Sequence, residues 1–185
     1  MPRAGLSTDG VVDIALSIVD ACGVDALTLA AVAERAGVAP PSLYKHVANL
    51  AVLRSLVAER VIREMTAIFA EVTVGRSRDD AVAVLMRTYR RYVVEHPARY
   101  ATMPFNALQS DGTAAAGAEL LAVFLAVLRG YGLDDSTATH ATRCLRAMVH
   151  GFASIEVGGG FGLNEDVEST YDRLVGMFLA SLPRT

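Results

Sequence analysis

The chain has 185 residues, of which 52% are hydrophobic and 20% are charged. This composition provides enough apolar side chains for a sizeable core and excludes a mainly disordered protein. The formal net charge of −3 excludes a histone-like basic coat, and Lys45 is the only lysine among the 17 basic residues. Two isolated cysteines, Cys22 and Cys144, do not make a disulfide framework, so a reducing compartment is expected.

Neither a secretory signal nor a membrane span is expected. Residues 1–10 contain one arginine and no apolar run. The most apolar stretch, residues 120–128, has nine residues, whereas a membrane-spanning helix needs about 18 or more. The sequence therefore predicts a cytoplasmic protein with no membrane contact.

Apolar residues recur at spacings of three and four almost throughout the chain, and no segment alternates long enough to indicate a strand. The sequence predicts an all-α fold with about nine helices. They cover about residues 11–22, 28–35, a short stretch from 40, 49–71, 79–95, 98–106, 113–130, 135–157 and 166–182. Ser7, Thr8 or Asp9 can cap the first helix, Thr28 the second and Asp134 the penultimate one.

Residues 28–47 combine the features that a helix-turn-helix requires. Ala33 is small enough for two helices to cross closely, and Gly37, four residues later, suits a turn with positive φ. Val38 and Leu43 can hold the second helix against the first. An ordinary helical hairpin is the alternative, but it does not need these residues together at these offsets.

Residues 27–53 resemble the DNA-binding region of the tetracycline-repressor (TetR) family. The residues that carry the resemblance are Leu27, Thr28, Val32, Ala33, Ala36, Gly37, Val38, Ser42, Leu43, Tyr44, His46, Val47, Asn49 and Leu53. Near the C-terminus, residues 149–152 resemble the Trp-His-Gly element of one group of TetR C-terminal domains, with Val149 in place of the tryptophan.

The resemblance implies a helix-turn-helix DNA-binding domain at residues 1–49 and a helical ligand-binding and dimerisation domain at residues 50–185. It also implies a homodimer that binds double-stranded DNA at a palindromic operator and is released by a small molecule. Each subunit would place its third helix in a major groove.

The resemblance assigns the DNA contacts to the start of the second helix and to the third, recognition helix. The residues it assigns are Thr28, Ala39, Pro40, Pro41, Ser42, Tyr44, Lys45 and His46. Lys45 is the only long donor among them and can reach a guanine edge or a phosphate. The hydroxyls and His46 suit phosphate oxygens, whereas the prolines can pack only on thymine methyls or sugar. Capping is the first role of Thr28, and packing on the first helix is an alternative for Tyr44.

Two departures from the family pattern keep a second interpretation open. Leu50 stands where the family usually has lysine, and Ala39 stands where it usually has a capping serine or threonine. The first fifty residues hold three basic side chains, Arg3 among them, against five acidic ones, so nonspecific DNA affinity should be modest. The alternative is a small-molecule-binding helical protein with weak or lost DNA binding.

The last two long helices each carry an apolar stripe, which predicts a four-helix dimer interface. The stripes comprise Ala138, Ala141, Leu145, Met148, Val149, Phe152 and Ile155 on one helix, and Val167, Tyr171, Leu174, Val175, Phe178 and Leu182 on the other. The alternative is that both stripes face the core of the monomer itself.

An apolar or aromatic ligand would bind among the middle helices. The candidate pocket residues are Arg87, Arg91, Tyr92, Tyr100, Met103, Phe105, Phe124, His140, Arg143, Met148 and His150. Aromatic and methionine stripes are more often core than pocket, and that alternative applies to these residues.

Catalytic signatures are absent from the sequence, which predicts neither an enzyme nor a cofactor. The scattered histidines and the two distant cysteines do not support a metal site. Both cysteines are expected to be inert core thiols. The glycine-rich stretch 158–162 is interpreted as a flexible connection.

Overall fold

A computed structural model describes residues 6–184, and within that range the chain is helical and contains no strand. Eight α-helices are observed: α1 (Thr8–Cys22), α2 (Leu29–Ala36), α3 (Leu50–Thr73), α4 (Arg78–Glu95), α5 (Pro97–Tyr100), α6 (Ala114–Leu128), α7 (Asp135–Val157) and α8 (Val167–Ala180). Short 3-10 helices cover Val24–Ala26, Pro40–Lys45, Ala107–Gln109 and Arg129–Tyr131. The predicted all-α fold is confirmed.

Side-chain caps begin the helices where the sequence predicted them. Ser7 Oγ accepts from the amide of Gly10 (3.1 Å), so Ser7 rather than its two neighbours caps α1. Thr28 Oγ1 accepts from the amide of Ala31 (3.1 Å) at the start of α2. The Asp134 carboxylate accepts from the Thr137 amide (2.8 Å), and this hydrogen bond lowers the pKa of Asp134.

The helix predicted over residues 98–106 is wrong in extent, because α5 ends at Tyr100. Pro104 explains the early end, since a residue before proline disfavours the helical conformation and proline has no amide hydrogen to donate. The chain continues as turns, with the Met103 amide donating to the Tyr100 carbonyl (3.1 Å).

The chain divides into two compact units. The N-terminal unit comprises the described residues up to Arg63 together with Ala98–Ala118, and the C-terminal unit comprises Glu64–Pro97 and the residues from Glu119 onward. Helices α3 and α6 therefore contribute to both units. The functional division predicted between residues 49 and 50 stays a prediction.

Two aromatic clusters lie in the core of the C-terminal unit. Phe69, Tyr89 and Phe124 form the first, with ring centroids 5.5–6.1 Å apart. Phe152 and Tyr171 belong to the second, where their ring centroids are 4.9 Å apart. The Tyr171 hydroxyl donates to the Met86 carbonyl (2.6 Å), and burial raises the pKa of that hydroxyl above its ordinary range.

Arg90 lies over the second aromatic cluster and joins three helices. Its guanidinium group makes a two-point contact with the Glu156 carboxylate at 2.7 and 2.8 Å and contacts Glu168 at 2.6 Å. It also lies 4.7 Å from the ring centroid of Tyr171. Since the Arg90 side chain is only 12% exposed, this ion cluster fastens α4 to α7 and α8 from within the unit.

The apolar stripes of α7 and α8 face the core of the C-terminal unit to a large extent, which supports the alternative that they pack within the monomer. The dimer interface on these helices stays a prediction. The buried stripe residues are Leu145, Val149, Phe152, Tyr171, Val175, Phe178 and Leu182. Periodicity identifies the apolar face of a helix, but it does not identify what covers that face.

The expectation that both cysteines are core thiols is wrong, because Cys22 and Cys144 are exposed. Cys22 is the last residue of α1. Cys144 precedes the buried Leu145, and one residue is a rotation of about 100° around a helix, which turns its side chain away from the core.

By length and composition alone, one helical stretch, Ala114–Tyr131, is apolar enough to cross a membrane. Its residues Phe124, Val127 and Leu128 are buried in the C-terminal unit, and 33% of the stretch is buried in all.

Candidate nucleic-acid interface

The turn between α2 and the recognition helix has the geometry that the sequence predicted. Gly37 adopts the left-handed conformation (φ 65°, ψ 33°), which a side chain would strain. The Val38 amide donates to the Ala33 carbonyl (3.0 Å) across this turn. The left-handed Gly37 and this hydrogen bond end α2 and turn the chain toward the recognition helix within two residues.

The recognition helix is a 3-10 helix of six residues, Pro40–Lys45. Its two prolines have no amide hydrogens, so the first donor is the Ser42 amide, which bonds to the Ala39 carbonyl (2.9 Å). At its end, the His46 amide donates to the Leu43 carbonyl (2.8 Å). The predicted start at residue 40 is confirmed, and the tighter helix type was not predicted.

Buried apolar residues hold the recognition helix against α2. Leu43 and Val32 are fully buried, and Ala33 is 1% exposed. Val38 is half-buried. The small side chain at position 33 and the packing role of Leu43 therefore agree with the prediction.

The residues assigned to DNA contact lie on the outer side of this packed core. Thr28, Ala39, Pro40, Pro41, Tyr44 and Lys45 are exposed, while Ser42 and His46 are half-buried. The Tyr44 side chain is 60% exposed, which argues against its packing on α1. Lys45 makes neither an ion pair nor a hydrogen bond with any part of the chain that the structure describes. The contacts of all eight residues with DNA stay predictions.

Ion pairs neutralise much of the acidity of the first fifty residues. Arg60 contacts Asp9 (2.7 Å) and Asp13 (2.8 Å), both on α1. Arg99 makes a two-point contact with Asp20 at 2.8 and 2.7 Å. A charge count over residues 1–50 does not include these two arginines, because both lie beyond residue 50. Arg3, which entered the charge count, lies outside the described residues.

Counted over residues 1–63 and 98–118 of the sequence, seven basic residues, Arg3 included, balance seven acidic ones. The acidic excess of residues 1–50 is therefore a property of the sequence interval and not of the compact unit. The charge of the N-terminal unit therefore does not favour lost DNA binding.

The structure places the pocket candidates in different environments. Tyr92 and Phe124 are buried, and Tyr100, Met103, Met148 and His150 are half-buried. Arg87, Arg91, Phe105, His140 and Arg143 are exposed. Arg87 pairs with Asp172 at 2.9 Å, and the Phe105 side chain is 78% exposed. A ligand pocket among these residues stays a prediction.

Two protein-family models match the chain. Residues 12–49 match the bacterial regulatory proteins of the tetR family. Residues 82–178, more than half of the chain, match the tetracyclin repressor-like C-terminal domain.

Two curated relatives match over nearly the full chain. The HTH-type transcriptional regulator Rv0681 of Mycobacterium tuberculosis is 36% identical over 98% of this chain and 84% of its own length. The HTH-type transcriptional regulator YobS of Bacillus subtilis is 31% identical over 98% of this chain and 95% of its own length.

Solved structures share the fold at lower identity. A protein from Rhodococcus sp. RHA1 aligns with a TM-score of 0.85 and 21% identity over the whole of both chains. BioQ with its double-stranded DNA operator aligns with a TM-score of 0.66 and 23% identity over 95% of this chain and 99% of BioQ. ActR of Streptomyces coelicolor in complex with (S)-DNPA aligns with a TM-score of 0.71 and 24% identity over 96% of this chain and 97% of ActR.

The helix-turn-helix geometry, the two family models and the curated relatives point to the same conclusion. The chain belongs to the TetR family of DNA-binding transcriptional regulators, which are not enzymes.

Proposed function

We propose that this protein is a cytoplasmic repressor that binds a palindromic operator as a homodimer and is released by a small molecule. The observation that carries the proposal is the arrangement of side chains on the recognition helix. Leu43 is buried against the core, whereas the neighbouring Tyr44 and Lys45 are exposed. Within residues 6–184 neither side chain has a hydrogen-bond partner, and a lysine ammonium and a phenol hydroxyl are donors suited to base edges and phosphates.

The proposed dimer uses the last two long helices. Since the apolar stripes of α7 and α8 largely face the core, the second subunit would cover the parts of these two helices that remain exposed. On α8 this face includes Met177, 69% exposed, and Gly176; on α7 it includes Ile155, 48% exposed, and Ala147. Exposed apolar and small side chains permit close packing of a second copy, and two-fold symmetry makes the operator a palindrome.

The proposed effector is an apolar or aromatic molecule bound in the C-terminal unit. The candidate pocket residues include the buried aromatic side chains of Tyr92 and Phe124, and aromatic rings favour flat apolar ligands. ActR, a structural relative at 24% identity, has been solved in complex with (S)-DNPA.

Selection of genomic DNA fragments with the purified protein tests the proposal. We expect a short palindrome to be enriched, and a compound screen for its release then identifies the effector. Enrichment of no sequence would favour the alternative, a small-molecule-binding helical protein with weak or lost DNA binding. Leu50 is the feature that supports this alternative, since it cannot donate to a phosphate.

A further inference from the structure

We propose that Arg54 contacts a DNA phosphate in place of residue 50. Position 50 lies one helical turn earlier on α3, and its leucine cannot make this contact. This inference rests on the proposed function, because it concerns how the same DNA-binding surface holds the operator. It is carried by the register of α3, by the exposure of Arg54 and by the pairing of the other basic residues of the N-terminal unit.

The first turns of α3 set the direction of the Arg54 side chain. Asn49 Oδ1 accepts from the Val52 amide (2.9 Å) and so fixes the start of the helix. Leu53 and Val57 are fully buried, which orients one face of α3 toward the core. Arg54 is exposed, on a face of the helix that it shares with Leu50.

Positions 50 and 54 are four residues apart, a rise of about 6 Å along the helix. Side chains on an α-helix lean toward its N-terminus, so a long side chain at position 54 covers the surface of the preceding turn. The Arg54 guanidinium group therefore reaches back toward the space that a lysine at position 50 would occupy.

Most of the other basic residues of the N-terminal unit have a polar partner, and Arg54 differs from them in this respect. Arg60 and Arg99 pair with carboxylates of α1, and Arg63 pairs with Glu59 at 3.1 Å. Arg35 donates to Ser17 Oγ (3.0 Å). Among residues 6–184, neither Lys45 nor Arg54 has an ion pair or a hydrogen bond from its side chain.

These two cations would make different kinds of DNA contact. Lys45 lies at the end of the recognition helix, where a donor can read a base edge. Arg54 lies on α3, outside the recognition helix, and its planar guanidinium group matches two phosphate oxygens at once. A phosphate contact strengthens binding on every sequence and carries no sequence information.

The test compares the parent protein with Arg54→Ala, the double variant Arg54→Ala with Leu50→Lys, and the matched control Arg63→Ala on the same helix. Each is titrated on a duplex carrying the selected palindrome and on a random duplex, at several salt concentrations. Thermal unfolding of each variant checks that the fold is intact.

Arg54→Ala should weaken binding to both duplexes on the order of tenfold at low salt and leave the ratio between them unchanged. The slope of log affinity against log salt should fall in magnitude by about two for the dimer, one per subunit. Adding Leu50→Lys should restore affinity and slope, and Arg63→Ala should leave the slope unchanged.

An unchanged slope for Arg54→Ala on a palindrome that the parent binds would overturn the role of Arg54 while leaving the proposed function intact. Weaker binding without a change in slope, or without recovery by Leu50→Lys, would also overturn it, since that pattern indicates a structural role. A parent protein that binds neither duplex would overturn the proposed function as well.

Discussion

At the scale of single residues, Lys45 is the donor that we propose for sequence reading. Lys45→Ala should weaken operator binding by about 1–3 kcal/mol and relax specificity at one base-pair position in each half-site. Titrations on the operator and on its singly substituted variants measure both effects. The control is Arg129→Ala, which removes an exposed cation of the C-terminal unit. An Lys45→Ala variant that keeps the parental base preference would show that Lys45 contacts phosphate.

The capping and turn residues of the helix-turn-helix could be predicted from sequence because their requirements are local. Thr28 has to cap a helix whose start lies next to it, and Gly37 has to adopt a positive φ between two adjacent helices. The ion pairs could not be predicted in this way. Arg60 meets Asp9 across 51 residues and Arg99 meets Asp20 across 79, and spacing alone does not indicate which charges meet.

At the scale of elements, the pair Arg99–Asp20 joins α5 to α1 within the N-terminal unit. The two-point geometry and partial burial should give this pair a coupling energy of about 1 kcal/mol. A double-mutant cycle with Arg99→Ala and Asp20→Ala measures it by urea unfolding. Arg91→Ala, at an exposed arginine of α4, is the control. Strictly additive losses from the two substitutions would show that the pair contributes nothing.

Helix positions were predictable because each helix repeats its apolar residues at its own period. The failure at α5 has a local cause, since Pro104 interrupts a pattern that otherwise continues. At α7 and α8 periodicity leaves two interpretations open, for a different reason. A stripe such as Leu145, Val149 and Phe152 satisfies the requirement for a dimer interface and for a core equally well, and only the packed structure distinguishes the two.

At the scale of the whole molecule, dimerisation should depend on the exposed face of α8. Met177→Asp places a charge where a second subunit would bury an apolar side chain, so the variant should sediment as a monomer. Val74→Asp is the control, because Val74 is 77% exposed in the turn after α3. Operator affinity should fall together with the dimer. A Met177→Asp variant that remains dimeric would place the interface on another surface.

The charge of the whole molecule leads to a prediction about salt. A net charge of −3 and a balanced N-terminal unit leave Lys45 and Arg54 as the unpaired cations that we propose for the DNA surface. Of the two, Arg54 is the proposed phosphate contact. One such contact from each subunit releases about two counterions, so the log–log slope of operator affinity against salt should be about −2. Hydroxyl contacts from Tyr44 and Ser42 add affinity without adding to this slope. Binding titrations at several salt concentrations measure it, with the random duplex as the reference. A slope near −10, typical of a strongly basic surface, would contradict the prediction. It would mean that arginines paired with carboxylates within residues 6–184 leave those partners and contact DNA instead.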